Sequence, residues 1–121
     1  NRLRGTLEQF SEGSCAVRVE SGELVHALPV RVDAKDSATT LSLRPERVTV
    51  RPPQGAYENV FDAEVRELIY LGDHVRTRVS LLGHEDFIIK IPNAYGHEQL
   101  RVGERVQVGW HARDCRALDA A

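Results

Sequence analysis

The sequence has little of several residue types, and each scarcity excludes a class of protein. Among its 121 residues there are two cysteines, one tryptophan and no methionine. Two cysteines cannot build a disulfide framework, so we expect reduced thiols at Cys15 and Cys115 in a cytosolic setting, with a single bridge left open. The longest unbroken apolar runs, such as residues 68–71, fall far short of the ~18–20 residues that a membrane-spanning helix needs.

An excess of positive charge is also absent. Sixteen lysines and arginines stand against eighteen acidic residues, which gives a net charge of −2 and a pI near 6.2. A domain that binds nucleic acid is usually basic, with a pI above ~9. The chain opens at Asn1 with neither a methionine nor a basic and apolar leader, so we expect a fragment of a longer protein.

The motifs of several enzyme classes are missing. A P-loop needs Gly-Lys followed by Ser or Thr, but Lys35 follows Ala34 and Lys90 follows Ile89, so this chain is not expected to hydrolyse ATP. Neither a Gly-x-Ser-x-Gly nor a His-Glu-x-x-His string occurs. The dipeptides at 84–85 and 97–98 begin like the latter, but neighbouring side chains on an extended segment diverge. We therefore favour solvated loops over a metal site there.

What the sequence does contain is period-two alternation of apolar and polar residues, which is typical of half-buried strands. The alternating runs lie at residues 15–20, 41–44, 47–51, 61–65, 75–81, 87–91 and 106–110. Glycine-containing turns separate these runs, and short strands at ~8–12-residue spacing predict an all-β barrel or sandwich. No run shows a helical stripe over three turns, and at most one helical turn is expected near residues 92–99.

The strand pattern repeats once along the chain. Gly13 corresponds to Gly72, Gly22 to Gly83, and the Leu-Pro pair at 28–29 to the Ile-Pro pair at 91–92. Residues 52–55 (Pro-Pro-Gln-Gly) interrupt any ladder and predict a linker. We infer two related β units, about 1–51 and 56–121, with coincidence as the alternative. Each unit alone has too little core to be stable, so both should pack into one domain, 1–121.

The aromatic and basic residues that could bind a ligand are explained equally well by structural roles. Trp110 ends a strand whose valines point the same way, so we expect it in the core. Arg76 and Arg78 share the polar face of one strand, as Arg47 and Arg51 share that of another. We favour a solvated outer face over a surface on which bases stack between aromatic and basic side chains.

One string goes beyond a generic β pattern: Leu-Ser-Leu-Arg-Pro-Glu-Arg-Val at 41–48. A strand that ends in Arg44-Pro45-Glu46 resembles the C-terminal TOBE domain of ABC-transporter ATPase subunits, in the polyamine, ferric-iron and sugar importer branch. Three more stretches follow the order of that family. These are the Asn-x-x-x-Gly opening at 1–5, the turn Tyr70-Leu71-Gly72, and the strand from Gly103 to Trp110 with Asp114 in its tail.

The resemblance implies an OB-fold-like (MOP-like, TOBE) antiparallel barrel that follows an ATPase domain, which is expected upstream and absent here. It implies a non-catalytic domain that modulates ATP-driven uptake of a small solute. ATP and magnesium would bind the missing domain, so no cofactor is expected in this chain. The implied partners are its own ATPase domain, a second copy of the subunit and membrane permease subunits, but no nucleic acid. The implied location is the cytoplasmic face of a bacterial or archaeal cell membrane.

The motif residues also have physical interpretations. Pro45 lacks an N–H, so it should end one strand and turn the chain into the next, and Arg44 could pair with Glu46 or with a partner's carboxylate. Gly72 should adopt a positive φ in its turn. Two alternatives stay open: a sensor of small solutes or of molybdate-like oxyanions with the same architecture, and an OB-type nucleic-acid-binding module.

Self-association is a further expectation of the resemblance. A set of apolar residues lies on strand phases that a single barrel need not bury fully: Val25, Ala27, Ile88 and Tyr95. Paired identical subunits generally meet through the same surface on each copy. A patch of this size predicts only a weak dimer, since stable interfaces bury at least ~1,200 Å².

Overall fold

The alternating runs form a structure made almost entirely of strands, as the sequence predicts. The computed structural model describes residues 1–11, 13–31, 36–93 and 99–119. The strands in these ranges are β1 (Arg2–Ser11), β2 (Ser14–Val19), β3 (Leu24–Arg31), β4 (Ala38–Leu43), β5 (Thr49–Val50), β6 (Asn59–Tyr70), β7 (His74–Leu81), β8 (His84–Pro92), β9 (Arg105–Trp110) and β10 (Cys115–Asp119). A 3₁₀ helix at Pro45–Arg47 and another at Ala112–Asp114 are the helical elements of these ranges, and neither is long or apolar enough to cross a membrane.

The strands form two five-stranded sheets. The first is a closed barrel in the order β1-β2-β3-β10-β4, in which β1 also pairs with β4. Its pairings are antiparallel except for β3 with β10, which is parallel. The second sheet is antiparallel throughout, in the order β5-β9-β6-β7-β8. A five-stranded barrel of this kind is OB-like, so the prediction of an OB-like barrel body is confirmed.

Each half of the chain gives one strand to the sheet of the other half. Strand β5 follows the first barrel strands in sequence but pairs with β9, where Thr49 lies opposite Gly109. Strand β10 follows β9 but pairs with β4, where Cys115 lies opposite Leu43. The sheets therefore divide the chain differently from the predicted units 1–51 and 56–121, because β5 and β10 have exchanged places.

The internal repeat is visible in the turns and at the strand starts. Gly13 and Gly72 have φ values of 83° and 81° in equivalent hairpins, and Gly22 and Gly83 have 94° and 80° in the next pair of turns. Two asparagines at equivalent positions, Asn1 and Asn59, each bond the backbone of the third strand of the other half. The two units therefore share their local geometry as well as their strand order.

Both sheets contribute to one hydrophobic core. Trp110 is fully buried, and its ring centroid lies 5.3 Å from that of Phe61 and 5.8 Å from that of Phe87. The barrel interior adds Leu3 and Leu7 from β1 to the same cluster. The prediction that Trp110 belongs to the core is confirmed, and the shared core explains how two small units can be stable together.

Gly5 is required by a close approach of two strands. A Cβ atom at Gly5 would lie 2.4 Å from the carbonyl oxygen of Arg18 on β2 and 2.8 Å from a methyl group of Val17. No side chain can be accommodated at such distances without moving the backbone. This contact explains the glycine of the Asn-x-x-x-Gly opening.

Two of the four residues expected to form an apolar surface patch are buried. Val25 and Ala27 are buried, at 0% and 1% exposure, so the expectation that they form part of an uncovered patch is wrong: they point into the closed barrel. Ile88 is half-buried, and Tyr95 lies outside the described residues. The helical turn expected near 92–99 also lies mostly outside them, because β8 extends through residue 92 and the description resumes at 99.

Candidate functional site

The Arg44-Pro45-Glu46 corner carries the chain from one sheet to the other. Strand β4 ends immediately before Arg44, the 3₁₀ helix begins at Pro45, and β5 begins at Thr49. A proline fits the first position of a helix, because the N–H that it lacks would have no partner there. The corner therefore directs β5 out of the barrel and onto the second sheet.

Arg44 does not pair with its neighbour. Among the residues that the structure describes, neither Arg44 nor Glu46 forms an ion pair, and both are exposed. The predicted pairing of Arg44 with Glu46 is therefore not observed. Arg44 instead lines a surface cleft of about 240 Å³ that also includes Asp114, the last motif residue in the sequence.

The equivalent corner, at residues 111–114, is fixed by hydrogen bonds to the carboxylate of Glu58, which the sequence did not predict. One oxygen of Glu58 accepts the backbone N–H of Ala112 at 2.9 Å, and the other lies 3.3 Å from Nδ1 of His111. The hydrogen bond from Ala112 is the main cause that lowers the pKa of Glu58. The ring of Tyr57 packs 4.5 Å from that of His111. Residues 111–114 follow β9 as residues 44–47 follow β4. This equivalence in the internal repeat is the sequence signal that could have predicted a second corner.

The Tyr70-Leu71-Gly72 motif forms an exposed hairpin tip between β6 and β7. Tyr70 is 56% exposed and Leu71 49%, while the N–H of Leu71 donates to the carbonyl oxygen of His74 at 2.9 Å. Gly72 has a φ of +81°, so the predicted positive φ is confirmed. Large apolar side chains held at a turn suit contact with another surface better than solvation.

The related hairpin of the first half has an exposed aromatic as well. Phe10, near the end of β1, is 47% exposed. Ile69, near the end of β6, is 37% exposed. Both repeats of this hairpin therefore expose large apolar side chains, and we call residues 69–72 of the second half the hairpin tip.

Two further motif residues lie away from the cleft. Gly103 has a φ of +89°, and its N–H donates to the carbonyl oxygen of Val65 at 2.7 Å in the turn before β9. Trp110 is in the core. Neither residue lines the cleft beside Arg44. Gly103 shapes the turn before β9, and Trp110 packs in the core.

The metal interpretation gains no support from the described ranges. Within residues 1–11, 13–31, 36–93 and 99–119, no group of three or more His, Cys, Asp or Glu side chains converges. The expectation of a loop at residues 84–85 is wrong, because His84 and Glu85 begin β8, which pairs with β7. His97 and Glu98 lie outside the described residues.

Comparison with known proteins agrees with this architecture. A family model described as the TOBE domain matches residues 41–118, a range that contains the Arg-Pro-Glu corner, the hairpin tip and the second corner. In fold, the chain is similar to the cytoplasmic molybdate-binding protein ModG in its molybdate-bound crystal form, with a TM-score of 0.82 at 14% identity, covering 98% of this chain and 95% of that one. The chain belongs to the TOBE domain family.

Two curated relatives resemble the chain over almost its whole length. Both are described as the spermidine/putrescine import ATP-binding protein PotA. The chain is 28% identical to the protein from Trichodesmium erythraeum (strain IMS101) over 125 residues, and 30% identical to that from Rubrobacter xylanophilus (strain DSM 9941 / JCM 11954 / NBRC 16129 / PRD-1) over 130 residues. Each match covers 98% of this chain but only 32% and 31% of the relatives. The chain thus spans about a third of their length.

Proposed function

We propose that this chain is the C-terminal regulatory and subunit-contact domain of the ATP-binding subunit of an ABC importer, and that it modulates ATP-driven uptake of a small solute. The observation that carries this proposal is the match of 98% of the chain to two import ATP-binding proteins. Their names specify spermidine and putrescine, so a polyamine is the first solute to test, ahead of iron or sugar.

In this role the chain performs no chemical step. Its sequence has no Gly-Lys-Ser/Thr string, which the phosphate-binding P-loop of such ATPases requires. ATP and magnesium bind the ATPase domain of the parent subunit, and this domain acts through contacts. The parent works on the cytoplasmic side of a membrane, with permease subunits as its partners.

The hairpin tip is the surface that we assign to contact with a second copy of the subunit. It presents the side chains of Ile69, Tyr70 and Leu71 where the paired strands β6 and β7 meet. Identical subunits usually meet through the same patch on each. A patch of this size is well below the ~1,200 Å² of a stable interface, so the contact alone is weak and depends on the ATPase domains for support.

The aromatic residues support this role over nucleic-acid binding. The half-buried Phe61 and the buried Phe87 both pack against the buried Trp110, and Tyr57 packs against His111. A surface that binds single strands needs such rings outside, next to basic side chains. Of the exposed rings, Tyr70 lies opposite Val75 and Phe10 lies opposite Cys15, so neither has a basic residue as its direct cross-strand neighbour.

The test uses the full-length subunit, assembled with its permease in proteoliposomes. Tyr70 and Leu71 are both replaced by Ser, and spermidine uptake and ATP hydrolysis are measured together. The control is Val102→Ser, because Val102 is 65% exposed but lies in the turn before β9. We expect the tip variant to change the ratio of uptake to ATP hydrolysis and the control to leave it unchanged. Equal ratios in the tip variant and the parent would contradict the proposal.

A further inference from the structure

Four arginines meet at one cleft of the barrel surface. The cleft is lined by Ser42 and Asp114 and by Arg44, Arg47, Arg113 and Arg116. In a chain whose net charge is −2, four positive charges against one negative charge is a strong local excess. Such an excess attracts anions to this place on the surface.

The fold brings these arginines together from distant parts of the sequence. Arg44 immediately precedes the first 3₁₀ helix, Arg47 is its last residue, and Arg113 lies in the second. Arg116 is on β10, directly opposite Ser42 on β4. The exchange of strands between the halves is what places the two corners side by side.

A third strand extends the positive surface. Arg2 on β1 lies opposite Ser42 from the other side. Directly opposed residues of neighbouring strands share a face of the sheet, so Arg2, Ser42 and Arg116 form a row across three strands. Ser42 is the middle residue of this row and also lines the cleft.

The four cleft arginines, Arg44, Arg47, Arg113 and Arg116, form no ion pair with any carboxylate in the described part of the chain. A second cleft, near β6 and β9, is the opposite case: Arg66 lies 2.9 Å from Glu64, and Arg105 lies 3.7 Å from the same residue. Both clefts are polar, but only the first leaves its positive charge available to a ligand.

The size of the cleft limits what it can hold. Its volume of about 240 Å³ is below the ~300–1,000 Å³ that is typical of sites for drug-sized molecules. Guanidinium groups match the oxygen pairs of tetrahedral oxyanions through two parallel hydrogen bonds. We propose that the Arg44–Arg116 cleft is a binding site for a phosphate-class oxyanion, either free or as the terminal group of a phosphomonoester. The site does not depend on the transporter role.

The test is titration calorimetry of the 121-residue chain at low ionic strength. Inorganic phosphate and glycerol phosphate are the probes, and they distinguish a free ion from a phosphomonoester. The variants are Arg116→Gln and the double variant Arg44→Gln/Arg113→Gln. The control is Arg76→Gln, an exposed arginine on β7 that also lacks an ion pair among the described residues. We expect saturable binding by at least one probe, weakened roughly tenfold by each cleft variant and unchanged by the control.

Stability gives an independent readout. Since the four arginines repel one another without an anion, Arg116→Gln should leave the thermal midpoint unchanged or raise it in phosphate-free buffer. Phosphate should raise the midpoint of the parent chain more than that of the variant, because a ligand of the folded state stabilises it. An absence of saturable binding by both probes would overturn the proposal. An equal loss in the Arg76 control would do so as well, since it would show only general attraction to positive charge.

Discussion

The side chain of Asn59 is bonded to the backbone of His26 at both of its polar atoms. Its Oδ1 accepts the His26 N–H at 2.8 Å, and its Nδ2 donates to the His26 carbonyl oxygen at 2.9 Å. Asn1 makes the same pair of bonds with Ile88, both at 2.7 Å. One asparagine from each half thus extends the third strand of the other half, and the two halves are joined by symmetric polar contacts as well as by the core.

Replacing Asn59 with Ala should destabilise the domain by about 2–4 kcal/mol, because Asn59 is 1% exposed and its loss leaves two backbone groups of His26 without partners. Urea unfolding measures the change. Asn93→Ala is the control, since the exposed Asn93 side chain makes a single bond to the Gly72 carbonyl oxygen and should cost under about 1 kcal/mol. An Asn59 variant that is as stable as this control would show that the halves do not depend on the contact.

Replacing Gly72 with Val should cost about 1–3 kcal/mol, because its φ of +81° strains a β-branched residue. A new Cβ would meet no atom within 4 Å, so the cost comes from backbone conformation alone. Gly72→Asn is the matched variant and should cost less, since asparagine tolerates the left-handed region better. Equal denaturant midpoints for the Val variant and the parent would refute the assigned turn.

Glu58 should make stability depend on pH in the acidic range. Its pKa in the folded state is below the ordinary 4.5, first because of the Ala112 N–H. Its contribution to stability is therefore complete above about pH 4.5 and is lost as the pH falls through the lowered pKa. Thermal unfolding between about pH 6 and pH 3 should show a smaller loss of stability in Glu58→Gln than in the parent. Parallel curves would mean that the second corner is not held by this carboxylate.

The two thiols should be inert in the folded protein. Cys15 and Cys115 are buried, and burial raises the pKa of both, that of Cys115 to about 12. Because the thiolate is the reactive form, a disulfide reagent at about pH 8 should modify neither residue in the native chain and both in urea. Rapid reaction of either thiol without denaturant would contradict the closed barrel that encloses them.

The alternating runs predict β2 and β4–β9, because one face of each strand is buried, but they miss β1, β3 and β10. The period-two pattern of β1 was not recognised, because Gly5 stands where an apolar side chain is expected between Leu3 and Leu7. Strand β10 was missed because its fully buried residues, Cys115 and Ala117, are small. The turns at Gly13 and Gly72 were predictable from local chemistry alone.

Pairing partners and sites that join distant segments were not predictable in the same way. The exchange of β5 and β10 depends on which sheet edge each strand meets after its corner, and no local pattern encodes that choice. The arginine cleft follows from this exchange, since Arg44 and Arg116 are far apart in the sequence and adjacent only after β10 pairs with β4. The bond between Glu58 and the second corner joins residues 54 positions apart and was missed for the same reason.

Sedimentation equilibrium over a wide concentration range tests the contact role most directly. The 121-residue chain should be monomeric at micromolar concentration and partly dimeric at about millimolar concentration, as expected for an interface below ~1,200 Å². The variant with Ser at Tyr70 and Leu71 should stay monomeric throughout, and Val102→Ser should associate like the parent chain. A parent chain that is strictly monomeric at millimolar concentration, or a tip variant that dimerises equally well, would contradict the account.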